Sequence, residues 1–159
     1  MMEDKIKSKK ELKSILDEFK KQGKKIVFTN GCFDIIHYGH VSYLEKAKKE
    51  GDILVVGLNS DESVRKIKGQ KRPVIDEKDR AGIVAALESV DYVTIFEEET
   101  PLALIKYILP DVLAKGGDWE EQNVVGRDIV KNIKGKVAII PFVEGKATTN
   151  IINKIKNTL

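Results

Sequence analysis

With 159 residues, the chain has the length of one domain that can bury a core without disulfides. Its 42% apolar and 33% charged residues are typical of a globular protein, and no apolar run approaches the ~18 residues of a membrane span. The net charge is only +3 and the lysines are spread along the chain, so nothing indicates nucleic-acid or membrane binding. A single cysteine and an N-terminus without a secretory signal predict a cytoplasmic protein.

The first predicted element is an amphipathic helix over residues 9–22, with Ser8 as N-cap and Gly23 just after its end. Its apolar residues recur at helical spacing: Leu12, Ile15, Leu16 and Phe19. We assign residues 1–23 to an N-terminal helix that precedes the core of a single domain over residues 1–159.

Strand and helix patterns alternate along the rest of the chain. Short apolar segments predict strands at 25–29, 53–59, 92–96, 111–115 and 136–142. Helical patterns follow at 41–50, 76–89, 100–109, 122–133 and 148–158. This order predicts an α/β fold, a Rossmann-like, doubly wound parallel five-stranded sheet with helices on both faces. In such a sheet the ligand lies beyond the carboxyl ends of the strands.

Local signals mark several helix starts. Asp76 and Thr100 are predicted N-caps, and Pro101 suits the first helical position. The segment 61–75 is the most basic and least regular, and we predict that it is a mobile loop. Its first residue, Asp61, is as well suited to capping a helix as to contacting a ligand.

Both histidines and the only cysteine lie in "TNGCFDIIHYGH", which follows the first predicted strand. Gly31 and Gly39 allow close approach of the backbone to a ligand, and a helix that begins near His40 offers free N–H groups to an anion. His37 and His40, three residues apart, would share one side of that helix and suit phosphate oxygens. An H-x-x-H pair can also be structural or bind a metal, but no third ligand is evident. Walker A and dinucleotide-binding motifs are absent.

The segment "GCFDIIHYGH" resembles the H-x-G-H signature of the nucleotidyltransferase superfamily. With "KGQKRP", "KGGDW" and "PFVEG" in the same order, residues 24–155 resemble bacterial ADP-heptose synthases. The resemblance implies transfer of an adenylyl group from ATP, with Mg²⁺, to D-glycero-β-D-manno-heptose 1-phosphate. The products would be pyrophosphate and ADP-heptose, for the lipopolysaccharide core or another surface glycan, without a covalent enzyme intermediate. It also implies a homodimer. The residues themselves offer no dedicated metal cage, so we expect no resident metal.

The resemblance further implies roles for individual residues. The catalytic residues would be His37, His40, Lys68 and Arg72. The nucleotide-binding residues would be Thr29, Asn30, Gly31, Cys32, Phe33, Gly39, Gly116, Thr148 and Thr149. The substrate-binding residues would be Asp34, Asn59, Asp61, Gly117, Asp118 and Trp119. We interpret Cys32 as a packing or backbone contact, because no partner base is indicated, and Lys66 and Lys71 as solvated surface charge. Trp119 is as well suited to packing as to covering a base or sugar, and the threonines can also cap the last helix.

Two residues depart from the patterns of related proteins, and one segment is more apolar than its helix requires. Ala147 stands where the commoner pattern has a serine, and Phe142 stands where glycerol-3-phosphate cytidylyltransferases have an arginine. The missing arginine argues against glycerol 3-phosphate with CTP as the substrate pair. Two alternatives stay open: a cytidylyl- or adenylyltransferase for another small phosphate, such as glycerol 3-phosphate or FMN, and a nucleotide-binding sensor that has lost catalysis. The intact residues His37, His40, Lys68 and Arg72 argue against the sensor. The segment 81–96 is more apolar than one helix stripe requires, notably at Ile83, Val84, Ala86 and Leu87. This surplus favours burial against a second copy, unless both sides pack within one subunit.

Overall fold

The computed structural model describes residues 1–117 and 119–159, in which one parallel sheet contains five strands. These are β1 (Ile26–Gly31), β2 (Ile53–Asn59), β3 (Tyr92–Phe96), β4 (Val112–Gly116) and β5 (Lys136–Ile140). Their order across the sheet is β3-β2-β1-β4-β5, and every neighbouring pair is parallel. The predicted fold class is confirmed. The strand order reverses direction between β1 and β4, which is where a sheet of this kind binds its ligand.

Helices cover both faces of the sheet. They are α1 (Met2–Lys5), α2 (Lys9–Lys21), α3 (Tyr38–Lys48), α4 (Asp61–Lys68), α5 (Glu77–Ala85), α6 (Leu102–Ile108), α7 (Arg127–Asn132) and α8 (Thr148–Thr158). One apolar cluster joins α3 and α5 to one face of the sheet, and a second joins α2, α6 and α7 to the other. No helix in the described parts of the chain is long and apolar enough to cross a membrane.

The N-terminal segment contains two helices rather than the one predicted. α2 begins after Ser8, whose hydroxyl accepts from the Glu11 N–H while the Glu11 carboxylate accepts from the Ser8 N–H. Leu12 and Leu16 of α2 are fully buried in the second cluster. The short helix α1 packs on α5, and its Lys5 Nζ donates to the carbonyls that follow α5.

α1 packs on α5, the helix whose apolar residues suggested a second copy. α5 begins at the predicted N-cap, Asp76, but ends at residue 85 rather than 89. Val84 is fully buried and Leu87 packs against the first cluster. Ile83, at 40% exposure, is the one large apolar side chain of the 81–96 segment that stays exposed. Ala86 is exposed as well, so two of the four named residues pack within the subunit and two do not, and burial against a second copy stays a prediction.

The segment 61–75 is not an irregular loop throughout, because its first half forms α4. Ser60 caps this helix by accepting from the Ser63 N–H, so Asp61 is the first helical residue and not the N-cap. Acidic residues fill the first turn of α4 and basic residues its last turn, which favours the helix through its dipole. Part of the basic composition that suggested a loop thus lies in the last turn of a helix, at the negative end of its dipole.

Further boundaries also differ from prediction, by one or two residues in β1, β4 and β5, and three helices differ as well. The helix predicted at 122–133 is divided into a 3₁₀ turn (Glu121–Asn123) and α7, because Gly126 adopts a φ of +86° against the Ile105 side chain. α6 is capped by Pro101 rather than by Thr100. α3 begins at Tyr38, earlier than predicted. The last helix, α8, has the predicted bounds.

Candidate active site

β1 and β4 part at the carboxyl end of the sheet, which is where a fold of this kind has its ligand crevice. β1 pairs with β4 at Val27–Val112 and Phe28–Leu113, and the described pairing stops there. β1 stays paired with β2 as far as Gly31, and β4 stays paired with β5 as far as Gly116. The last residues of β1 and β4 therefore face each other without backbone hydrogen bonds, at the switch point of the sheet.

The two histidines lie together at the N-terminus of α3. His37 is the N-cap, and its Nδ1 accepts from the Gly39 N–H at 3.1 Å. The rings of His37 and His40 are stacked, with centroids 3.9 Å apart and planes at 28°. The Phe33 ring lies 5.4 Å from His40 on a tilted plane. The helical turn thus brings both imidazoles together, as the spacing predicted.

Both imidazoles are held in their neutral form at neutral pH. Burial, together with the neighbouring His37, lowers the pKa of His40 to about 4. Burial and the cation of Lys146 lower the pKa of His37 as well. The His40 Nδ1 is buried and has no hydrogen-bond partner in the described chain. A stacked, neutral pair can donate hydrogen bonds to developing negative charge without carrying a fixed charge of its own.

The turn that follows β1 is shaped by the site's own aromatic rings. A Cβ on Gly31 would lie 2.9 Å from the Phe33 ring, and one on Gly39 would lie 2.9 Å from the His37 ring. Phe33 has a φ of +47°, which few side chains adopt. Behind the turn, the buried Thr29 hydroxyl shares a 2.7 Å hydrogen bond with the Tyr43 hydroxyl. Asn30 remains partly exposed at the crevice.

Asp34 holds the segment after α4 against this turn. Its side chain is fully buried and accepts from Arg72 Nε at 2.7 Å and from the N–H groups of Val74 and Ile75. Burial alone would raise the pKa of Asp34, but these hydrogen bonds outweigh it and hold the pKa below its usual value. The carboxylate, which the resemblance assigned to substrate, here faces the loop that carries Arg72.

Arg80 is a functional candidate that sequence reasoning missed. Its side chain is fully buried, and Nη1 donates to the carbonyls of Cys32 at 2.6 Å and Asn59 at 2.9 Å. Nη2 donates to the Asp61 carboxylate at 2.7 Å. One guanidinium therefore ties the ends of β1 and β2 to the start of α4. The available signal was an arginine that precedes an apolar run within a helix.

These contacts assign structural partners to two expected substrate residues. Asp61 is paired with Arg80, and its position at the start of α4 is set by that ion pair. Asn59 is buried, and its Nδ2 donates to the Ser63 hydroxyl at 3.0 Å. Both side chains support the strand ends, and their expected contact with substrate stays a prediction.

Lys68 and Arg72 approach the same turn from α4 and the segment after it. Lys68 is exposed in the last turn of α4, next to Gly69, whose φ is +96°. Burial raises the pKa of the Cys32 thiol, and the cations of Lys68 and Arg72 partly offset that rise. The thiol is therefore protonated at neutral pH, which agrees with a packing or backbone role for Cys32.

The end of β4 is covered by aromatic side chains. A Cβ on Gly117, whose φ is +85°, would lie 2.0 Å from the Phe142 ring, and one on Gly116 would lie 3.2 Å from it. Phe142 itself is 70% exposed. Trp119 is 47% exposed, and the Lys115 ammonium lies 5.1 Å from its ring centroid. Asp118, the remaining residue of this motif, lies outside the described residues.

The two threonines occupy the first turn of α8. Thr148 Oγ1 donates to the Asp34 carbonyl at 2.9 Å, which joins α8 to the turn after β1. Thr149 is exposed. The N-cap is Ala147, which provides no side-chain hydrogen bond, so capping is not the role of these threonines. The first N–H groups of α8 thus lack a side-chain acceptor and remain available to an anion.

A parallel sheet of this order, with an H-x-G-H pair at the helix that follows the first strand, has the fold and site of a nucleotidyltransferase. The chain belongs to the cytidylyltransferase-like family, which matches residues 28–156.

Proteins named bifunctional protein HldE are similar to this chain. That of Geobacter metallireducens is 58% identical over 151 residues, which are 95% of this chain and 31% of the relative. That of Aliarcobacter butzleri is 56% identical over 151 residues, with the same two coverages. The chain therefore spans less than a third of the length of these relatives.

Two solved structures are also similar. The lipopolysaccharide core biosynthesis protein of Thermoplasma volcanium has a TM-score of 0.64 and 28% identity, over 78% of this chain and 100% of that one. Pantoate-beta-alanine ligase of Francisella tularensis has a TM-score of 0.60 and 21% identity, over 96% of this chain and 77% of that one. The second likeness concerns the fold alone.

Proposed function

We propose that this chain transfers the adenylyl group of ATP to D-glycero-β-D-manno-heptose 1-phosphate, giving ADP-heptose and pyrophosphate in the cytoplasm. The observation that carries the transfer chemistry is the stacked His37–His40 pair at the N-terminus of α3, beside the crevice between β1 and β4. The similarity to the HldE proteins and to a lipopolysaccharide core biosynthesis protein supports heptose 1-phosphate as acceptor and a surface glycan as the product's destination.

In this reaction a phosphate oxygen of the sugar attacks the α-phosphorus of ATP, and the bond to the β-phosphate oxygen breaks as pyrophosphate leaves. The attacking and leaving oxygens lie roughly in line. Neutral His37 and His40 would donate hydrogen bonds to the phosphate oxygens, while Lys68 and Arg72 would stabilise the charge that develops on the leaving group. The protein would position the two substrates and stabilise the transition state, and no covalent enzyme intermediate would form.

Mg²⁺ would enter with ATP and neutralise part of the triphosphate charge. The two carboxylates nearest the turn, Asp34 and Asp61, are engaged by Arg72 and Arg80. The described residues contain no cluster of three or more side chains suited to holding a metal. We therefore expect the nucleotide phosphates, rather than a protein cage, to supply most of the ligands.

The test is pyrophosphate release from a panel of acceptors, each with ATP and with CTP. The panel contains heptose 1-phosphate, glycerol 3-phosphate and FMN, with Mg²⁺ and with excess EDTA. We expect the highest kcat/KM for heptose 1-phosphate with ATP, and none in EDTA. A higher kcat/KM for another pair would replace the proposed substrates, and nucleotide binding without release for any acceptor would indicate a sensor. Release that persists in EDTA would contradict the role of Mg²⁺.

We also propose that the protein is a homodimer. The support is the resemblance to a family that pairs subunits near the H-x-G-H helix, together with the 65% exposure of Tyr38, between the two histidines. An exposed aromatic side chain of this kind is typical of contacts between subunits.

A further inference from the structure

Lys115 is the first residue of the KGGDW motif, and it is a cation to which neither the motif reading nor the proposed mechanism gives a role. It is the fourth residue of β4, opposite Ile139 of β5, and lies two residues beyond Leu113, where the described pairing of β1 with β4 stops. It therefore stands at the edge of the crevice where the two strands part. The side chain is half-buried.

The Lys115 ammonium has no anionic partner in the described chain. Its side chain makes no salt bridge or hydrogen bond with residues 1–117 or 119–159. The Cys32 thiol is the neighbour that would raise the pKa of Lys115, but this thiol is protonated at neutral pH. Burial lowers the pKa of Lys115. The Trp119 ring at 5.1 Å stabilises the cation through its π face without neutralising it. Desolvated cations of this kind gain most when an anion binds beside them.

Lys115 and the histidines reach the crevice from opposite faces of the sheet. Alternation along β4 places Lys115 on the face of Leu113, which belongs to the cluster of α2, α6 and α7. The histidines start α3, whose buried Leu44 and Ala47 belong to the other cluster. This arrangement is compatible with an in-line displacement, in which the attacking and leaving groups lie on opposite sides of the α-phosphorus.

We propose that Lys115 binds the phosphate of the acceptor, with the Trp119 ring covering the attached sugar. A triphosphate on the histidine side would meet a different cation, Lys146, which lies close enough to lower the pKa of His37. Lys115 instead lies beside the exposed indole of Trp119. An aromatic ring next to a cation suits a sugar phosphate, because the C–H groups of the sugar pack on the ring and the phosphate pairs with the ammonium. This assignment deepens the proposed function and rests on it.

The test compares Lys115→Met, which keeps the length and removes the charge, with Lys115→Arg, and uses Lys106→Met as the matched control. Lys106 is exposed on α6 and has no described contact. We expect Lys115→Met to raise the KM for heptose 1-phosphate about tenfold or more and to change the KM for ATP less than twofold. Lys115→Arg should recover part of the loss, because it keeps the charge. Lys106→Met should match the wild type.

The outcomes separate the two proposals. A rise in the KM for ATP with that of the acceptor unchanged, or no change in either, would overturn the role of Lys115. If the wild type prefers another phosphate acceptor, the same comparison is made with that acceptor, so the substrate can be wrong while Lys115 is right. Calorimetric titration of heptose 1-phosphate into wild type and Lys115→Met, with a non-hydrolysable ATP analogue present, gives the affinity ratio without turnover. Equal affinities would overturn the assignment, and thermal melts show whether each variant is folded.

Discussion

The Asp34 carboxylate and the Arg72 guanidinium lie 2.7 Å apart, although 38 residues separate them in the chain. The same carboxylate accepts from two backbone N–H groups of the following segment. A buried acceptor with three donors fixes the loop and one of its cations against the turn that carries the histidines. The position of Arg72 therefore depends on Asp34.

Replacing Asp34 should lower stability and activity together. In Asp34→Ala the three donors lose a buried acceptor, and we expect the free energy of unfolding to fall by about 2–4 kcal/mol. Urea unfolding measures this change. Asp128→Ala is the control, because Asp128 is exposed and its pair with Arg127 is expected to contribute less than about 1 kcal/mol. Equal losses in the two variants would show that the Asp34 contacts contribute little.

Replacing either stacked histidine should affect turnover far more than folding. If His37 and His40 donate to the α-phosphate in the transition state, His37→Ala and His40→Ala should each lower kcat by about 10²–10⁴-fold. Circular dichroism checks that the fold is kept. Full turnover in both variants would remove the main support for nucleotidyl transfer at this site.

Lys68 and Lys66 provide a matched pair on one helix. Both are exposed on α4, but Lys66 pairs with Glu62 across one turn, while Lys68 lies at the end of the helix toward the Cys32 turn. Lys68→Ala should lower kcat/KM about tenfold or more with an unchanged melting temperature, and Lys66→Ala should leave kcat/KM unchanged. A large drop in the melting temperature of Lys68→Ala with normal turnover would assign Lys68 a structural role instead.

The neutral state of His40 makes stability depend on pH in a defined direction. The folded protein binds a proton at His40 near pH 4, whereas the unfolded chain binds it near 6.5. Between these values the unfolded state holds more protons, so the free energy of unfolding falls as the pH decreases from about 6.5 to about 4. Urea unfolding at pH 7 and pH 5 should show a smaller decrease for His40→Asn than for the wild type. Parallel decreases would mean that His40 is not held neutral by folding.

The proposed homodimer can be measured directly. Light scattering coupled to size exclusion should give a mass near twice 17.8 kDa at micromolar concentrations. If the contact includes the start of α3, Tyr38→Glu should shift the mass toward the monomer. Tyr107→Glu, a similarly exposed tyrosine on α6, should not. A mass near 17.8 kDa for the wild type would exclude the dimer.

The sequence by itself determined the features that depend on neighbouring residues. The bounds of β2 were predicted correctly because a strand buried on both faces is a continuous apolar run. Ser8 and Asp76 were recognisable as caps because a cap bonds to N–H groups two or three residues away. The histidine pair followed from one helical turn, which stacks residues at that spacing.

Only the tertiary structure decided which partners the buried charged side chains have. Arg80 meets Asp61 and the Cys32 carbonyl, 19 and 48 residues away, and Asp34 meets Arg72, so their side chains support the site rather than remain free. The same holds for Val84 and Leu87 of the 81–96 segment, which pack into the core of the subunit. A local pattern specifies that a side chain is polar or apolar. Its partner is set by how the helices pack on the sheet, because residues far apart in the chain become neighbours only when the core forms.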